Sequence, residues 1–381
     1  MAAAAVKVTD KVNNAEVDTL DGKTTGKVTV DILEDTFAEV SALDALNDSD
    51  VDISNAAITV TNAVTKANAD TLNGFTDGLV SLKFVRDTRA NVEAIDAIAD
   101  GEVLMNTAIV QVTDAVTKAN ADSLNLLTAG QVTLESVEDT NANILLIDGL
   151  TTSEVTMAAA AVKVTDKVNN AEVDTLNSKT TGTVTVDILE DTFAEVSALD
   201  ALNNSDVDIS DAAITVTNAV SKANADTLNG FTTGKVTLQS VEDNYDNIQL
   251  IKAIDTAEVD MDAADIKVTD DVNKTKVDDL RTDTTGNITL TSLTEDKGDL
   301  ATINGFSDVI LSTANITVTD NVDRSEADTI DAYSNTSGTV TLTSITDTVS
   351  NVTAVENNAN ISIATSAITV TDAASFDNAD A

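Results

Sequence analysis

Carboxylates are the groups in this chain most able to do chemistry, and they recur at fixed intervals. Asp10, Asp114, Asp166, Asp270, Asp320 and Asp372 each close a [VI]-x-V-T-[DN] motif, with Asn62 and Asn218 at the same position. A second set, Glu34-Asp35, Glu138-Asp139, Glu190-Asp191 and Glu242-Asp243, follows another β-branched stretch. Strands stack about 4.8 Å apart, a range at which like charges repel unless screened or bridged. Calcium, which takes about six to eight oxygen ligands, is the natural bridge. Asp10, Asp35, Asp114, Asp139, Asp166, Asp191, Asp243 and Asp270 are therefore the calcium candidates, and calcium the one cofactor the sequence suggests. The competing reading is that these residues cap helices, which explains why Asp and Asn alternate at one position. Neither an EF-hand spacing nor a glycine-rich calcium nonapeptide occurs.

Other chemistry is thinly represented. The chain has no Cys, His, Trp or Pro, which removes thiolate and imidazole metal ligands and every Cys-His or Ser-His-Asp arrangement. Paired carboxylates could do acid/base work, but they recur in every repeat whereas an active site is singular. The most divergent stretch, Leu293 to Ser312, offers no convincing cluster. The reading is of a non-enzyme with no catalytic residues. The N-x-[ST] sequons at Asn273, Asn287, Asn315 and Asn351 follow from a composition rich in Asn and Thr.

The elements that would position these carboxylates are set by repetition. The first motif recurs every 52 residues with one step of 50, and G-x-[VI]-[TS]-[VL] starts at Gly26, Gly78, Gly130, Gly182, Gly234, Gly286 and Gly338, always 52 apart. Two residues lost between Gly286 and Asp320 are regained before Gly338, so the register is kept, as stacked coils require. A longer period of 156 makes Met1–Leu20 and Met157–Leu176 identical. The array is read as one domain over 1–381, about seven 52-residue units and a partial one, with super-repeats 1–156 and 157–312, cut from a longer chain.

Segments such as AAITVT (56–61) and KVTV (27–30) alternate β-branched and polar residues, the pattern of strands buried on one face. Each precedes a helix start. Asp35 is the expected N-cap of a helix carrying Phe37, Val40, Leu43 and Leu46 on one stripe, with Asp87, Asp139, Asp191 and Asp243 in the same role. A shorter helix is expected over Asn62–Leu72, with Val64, Ala67 and Leu72 inward. Gly78 is expected to supply a left-handed turn. Parallel strands joined by right-handed crossovers then give an α/β solenoid of strand-helix-strand-helix units, with half-units near 20 and 32 residues. The absence of proline agrees. An all-β solenoid is the alternative. Whether the half-units share one sheet is left open.

In either stack, Thr61, Thr113, Thr165, Thr217, Thr269, Thr319 and Thr371 form an outward ladder, and Thr29, Thr133, Thr185, Thr237, Thr289 and Thr341 another. Ordered Thr arrays can template ice-like water, but charged or long neighbours such as Lys7, Asp31, Gln111 and Glu135 interrupt them, and Thr also pairs well with itself in sheets.

The net charge is -44, from 65 acidic and 21 basic residues, which excludes nucleic acid and anionic lipid as direct partners and favours cations or a cation-bridged surface. Hydrophobic content is 42% but aromatics only 2%, so the core is thin and built of small side chains. No apolar run approaches the roughly 20 residues that span a bilayer, and no signal peptide is visible.

The segments AITVTNAVSKANADTLNGFTTGKVTL (213–238) and VEDTNANILLIDGL (137–150) resemble the I-x-V-T-D-A, T-T-G-x-V-T and D-T-x-A-N-[LI] arrays of very large bacterial cell-surface or secreted repeat proteins, marine cyanobacterial ones among them. The resemblance covers the whole chain, and the composition is also similar to that of S-layer proteins. It implies an extracellular or cell-surface structural role: stiff spacer, adhesin stalk or self-assembling filament subunit, associating end to end or laterally. The runner-up function is a solenoid face that binds ice or a surface glycan. Residues 1–9 and 370–381 carry no recognisable polar cap, which leaves both ends open to pairing.

Overall fold

The computed structural model describes residues 3–46, 50–99, 101–151, 153–202, 206–334 and 338–372; Met1, Ala2 and 373–381 of the terminal stretches lie outside them. The chain folds as two compact units, Met1–Ile188 with Leu202–Asp208, and Leu189–Ala201 with Ile209–Ala381. Both carry the same α/β solenoid repeat.

In the first unit the strand Val6–Val12 pairs with Val28–Asp35, and that strand pairs in turn with Ala57–Val64, always parallel. Ala57–Val64 continues to Val80–Asp87, and the series runs through Ile109–Val116 and Val132–Asp139 to Ala161–Val168. The second unit repeats it from Ala213–Val220 to Ala367–Val370. Within each unit the two half-repeats alternate in a single parallel sheet, and a helix follows each long strand. A short coil advances 22 residues between register partners, as Ile58↔Val80, and a long coil 25, as Val85↔Val110. The long coil also contributes a two-residue strand, such as Val103–Leu104, before a tight turn.

The core is one layer deep. Ile58, Val60, Val80, Leu82 and Val85 on the strands and Ala69, Leu72, Val92 and Ile95 on the helices are all buried, while Thr59 and Ser81 on the alternate strand positions stay half-exposed. Short aliphatic side chains recurring every 52 residues let identical coils nest without voids. The compensated deletion also appears: Leu293 pairs with Ile316, 23 residues on, and Ile316 with Val340, 24 on.

Local expectations are corrected in three places. The helix drawn over Asn62–Leu72 begins at Lys66 and runs to Phe75, because Ala63 and Val64 remain in the strand, paired with Phe84 and Val85. Ala69, not Ala67, then faces inward. The helix Phe37–Asp44, expected to be the longer of the pair, has eight residues against ten for Lys66–Phe75; Val40 and Leu43 on it are buried, but Phe37 is half-exposed and Leu46, beyond its end, is 38% exposed. Finally, no described glycine has a positive φ. Gly78 is required by close approach instead: a Cβ there would lie 2.3 Å from the Ala56 carbonyl oxygen, in the coil before.

Candidate functional site

Repeated residues converge on the seams between coils. The N-cap of the helix Phe37–Asp44 is Thr36, not Asp35, and the same holds for Thr88, Thr140, Thr192 and Asn244 beside Asp87, Asp139, Asp191 and Asp243. The carboxylate one residue earlier does something the sequence does not announce. Asp35 accepts the backbone N–H of Asn14 (2.9 Å), Asp87 that of Lys66 (2.8 Å), Asp139 that of Lys118 (2.7 Å) and Asp243 that of Lys222 (2.9 Å). Each donor is the first residue of a helix in the preceding coil. The other oxygen accepts from the following residue, as Thr88 N–H on Asp87 (2.8 Å).

The second column works the same way. Asp114 accepts the Arg89 N–H (2.6 Å), Asp166 that of Asn141 (2.7 Å), Asp270 that of Tyr245 (2.8 Å) and Asn62 that of Phe37 (2.8 Å). Again the donors open helices of the coil before. A bulge makes this possible: between Val60 and Ala63 the short-coil strand carries one residue more than its partner, which turns Asn62 toward the helix end. Helix starts leave orphan N–H donors and a positive dipole end, so an acceptor is needed there and a formal charge is not. Asn62 and Asn218, capping Phe37 and Phe193, satisfy that need.

Of the eight calcium candidates, Asp35, Asp114, Asp139, Asp166, Asp243 and Asp270 thus cap a helix of the coil before. Asp191 accepts from Thr192 N–H (2.7 Å), and Asp10 heads its column with no helix before it among the described residues. Burial raises Asp87, Asp139 and Asp243, but the Asn91, Asn143 and Asn247 amides and the backbone donors outweigh it and hold all three below the ordinary carboxylate range. Among the described residues one group of three carboxylates lies close, Glu295, Asp296 and Asp299, with oxygens within 4.8 Å of one another. It falls in the divergent stretch Leu293 to Ser312, where no convincing cluster is read from the sequence; the E-D-x-x-D spacing across a helix start was the available signal. Two of its members are engaged: Glu295 accepts the Lys274 N–H (2.6 Å), and Asp296 caps Gly298 and Asp299.

A second clasp is hidden in the T-x-G tripeptides. Thr76, Thr128, Thr180, Thr232 and Thr284 are buried. Each hydroxyl donates to the carbonyl of Ala56, Ala108, Ala160, Ala212 or Ala264 one coil back (2.6–2.7 Å) and accepts from the N–H of Gly78, Gly130, Gly182, Gly234 or Gly286 (2.8–2.9 Å). In the coil after the divergent stretch Ser334 takes this place on Ala314 (3.1 Å), and the two regained residues fall between it and Gly338. The glycine lets the backbones approach, and the hydroxyl satisfies the carbonyl that this buries.

The open sheet face is a charge lattice. Lys27 pairs with Asp52 (2.6 Å), Lys163 with Glu138 and Asp187 (3.2 and 3.3 Å), Lys267 with Glu242 (2.7 Å) and Arg86 with Glu135 (2.8 Å). Thr29 stands between Lys7 and Asp52, and Thr289 between Lys267 and Ile310. Thr61 lies on the bulge. The two Thr ladders therefore do not join into one flat array.

No protein-family model matches the chain, and neither does any curated protein. Among solved structures, a chain described as "Crystal structure of Rad7 and Elc1 complex in yeast" matches at 10% identity over 93% of this chain and 82% of that one, with a TM-score of 0.16. No described helix is long and apolar enough to cross a membrane.

Proposed function

We propose that the chain is a structural repeat segment of a bacterial cell-surface or secreted protein, a spacer or self-assembling scaffold rather than an enzyme. One observation carries this reading: the side chains that recur at the 52-residue period are spent on holding each coil to the one before it. The strand-end acceptors and the Thr-x-Gly clasps satisfy helix ends and buried carbonyls across the seams, which is what a load-bearing array needs. The excess of acidic residues keeps such a surface soluble and repels polyanions.

Two measurements test it. Antibody against the chain should label intact cells of the source organism; labelling only after lysis would end the surface reading. Pulled from its ends, the chain should lengthen in increments near one 52-residue repeat, about 170–190 Å of contour. A single all-or-none extension would remove the mechanical one.

A further inference from the structure

The tetrapeptide [LI]-N-G-F occurs at 72–75, 228–231 and 303–306, and these three copies hold every Asn-Gly pair of the chain. Asn-Gly is the pair in which the next backbone nitrogen most easily attacks the side-chain amide, because glycine has no Cβ to shield that nitrogen or restrict its backbone. The local sequences match; their surroundings do not. Asn73 and Asn229 lie inside the ten-residue helices Lys66–Phe75 and Lys222–Phe231 and are half-exposed. Their amides donate to Glu102 (3.2 Å) and Glu258 (3.4 Å), and the chain just beyond is pinned by the Thr76 and Thr232 clasps.

Asn304 differs in each respect. It is the last residue of the eight-residue helix Lys297–Asn304, and both it and Gly305 are exposed. Its amide has no partner among the described residues. The Gly305 N–H is shared between the Ala301 and Thr302 carbonyls at 3.2 and 3.1 Å, and a turn rather than a clasp follows. Helix ends of this kind are where the backbone opens most readily. At the same place in four other coils stand Asp44, Asp96, Asp148 and Asp200, three of them followed by Ala45, Ala97 and Ala201.

We propose that Asn304 is a self-modification site, which deamidates in the folded chain ahead of Asn73 and Asn229. As the last turn opens, the Gly305 nitrogen bonds to Asn304 Cγ, the Cγ–Nδ2 bond breaks, and ammonia leaves with the Gly305 proton, giving a cyclic imide. Water then opens the ring. Attack at Cγ leaves aspartate, the residue of those four other coils; attack at the main-chain carbonyl carbon leaves isoaspartate, with one more methylene in the backbone. That insertion falls just before Phe306, whose ring centre lies 3.7 Å from the Arg281 guanidinium carbon, and Asp308, which accepts from Arg281 Nε (2.8 Å). Arg281 belongs to the helix Lys274–Asp283. The isoaspartyl product therefore loosens the seam between these two helices, whereas the aspartyl product leaves it in place. The site stands apart from the scaffold reading.

The full chain tests this when held folded at mildly alkaline pH and mapped over time by peptide mass spectrometry, with isoaspartyl methyltransferase labelling to separate the two products. Asn304 should convert several-fold faster than Asn73 and Asn229. In urea the three should convert together, since their tetrapeptides differ only in Leu or Ile. Gly305→Ala, which introduces the residue that follows Asp44 and Asp96, should slow conversion at Asn304 alone. The isoaspartyl fraction should melt below Asn304→Asp, and Asn304→Asp close to fresh wild type. Equal rates at the three sites of the folded chain, or an Asn304 that stays an amide while the urea-unfolded chain converts, overturns the inference. Equal melting of the two products overturns its effect on the seam.

Discussion

The Asp87 carboxylate accepts the Lys66 backbone N–H at 2.8 Å, so the end of one strand caps the helix of the coil before it. The bond is charge-assisted and lies at the positive end of a helix. Asp87→Ala should cost about 1–3 kcal/mol in urea unfolding, and Asp87→Asn less, since an amide oxygen serves at Asn62. Equal losses for both variants would mean that charge, not hydrogen bonding, holds the seam.

Thr128 bridges Ala108 and Gly130 through one hydroxyl, at 2.6 and 2.9 Å. Thr128→Val keeps the shape but strands a carbonyl and an N–H, so a loss of about 1–3 kcal/mol is expected. Thr128→Ser should restore most of it. If valine is tolerated, the clasp is packing alone.

Two glycines give opposite signs. At Gly130 a Cβ would lie 2.2 Å from the Ala108 carbonyl oxygen, whereas at Gly74 it would meet nothing within 4 Å. Gly130→Ala forces the coils apart and should cost at least about 1–3 kcal/mol. Gly74→Ala, inside the helix Lys66–Phe75, should gain about 0.5–1 kcal/mol. Thermal melts read both.

Asp52 provides a pH handle. Its hydrogen bond to Lys27, then that to Ser54, hold the carboxyl down to about 2 from 3.8, against a smaller effect of burial. A folded-state value below the unfolded one means that the unfolded chain binds the proton first, so this stability is present above 3.8 and is lost as the pH falls through 2. The stability difference between wild type and Lys27→Met should be full near neutrality, shrink between those two values and vanish below them. A difference that persists in stronger acid would show that Lys27 acts through packing.

Calcium is tested by melting the chain in EDTA and in millimolar calcium at matched ionic strength. The strand-end oxygens already accept N–H donors, so the two melts are expected to coincide apart from general screening. A large calcium-specific rise would reassign the columns as ion sites.

The sequence by itself determined the period, the alternation of strand and helix, the thin aliphatic core and the compensated two-residue shift, because each is a local or strictly periodic pattern. It also showed Asp and Asn to be interchangeable at one position, which already pointed to an acceptor. Only the tertiary structure decided which helix each acceptor serves. Asp35 sits beside Thr36, and local spacing makes it the natural cap of its own helix; its oxygen instead reaches Asn14, 21 residues back, because parallel stacking sets a strand end against the previous helix start. The glycines follow the same rule, since a turn and a close approach ask for the same residue and the 2.3 Å gap at Gly78 exists only once coils are stacked. Thr76 reads as one more polar residue until Ala56, 20 residues away in sequence, is seen to need its hydroxyl. These seam hydrogen bonds join residues 20 to 25 apart, beyond the reach of helix and strand periodicity, and there the third dimension had to supply the partner.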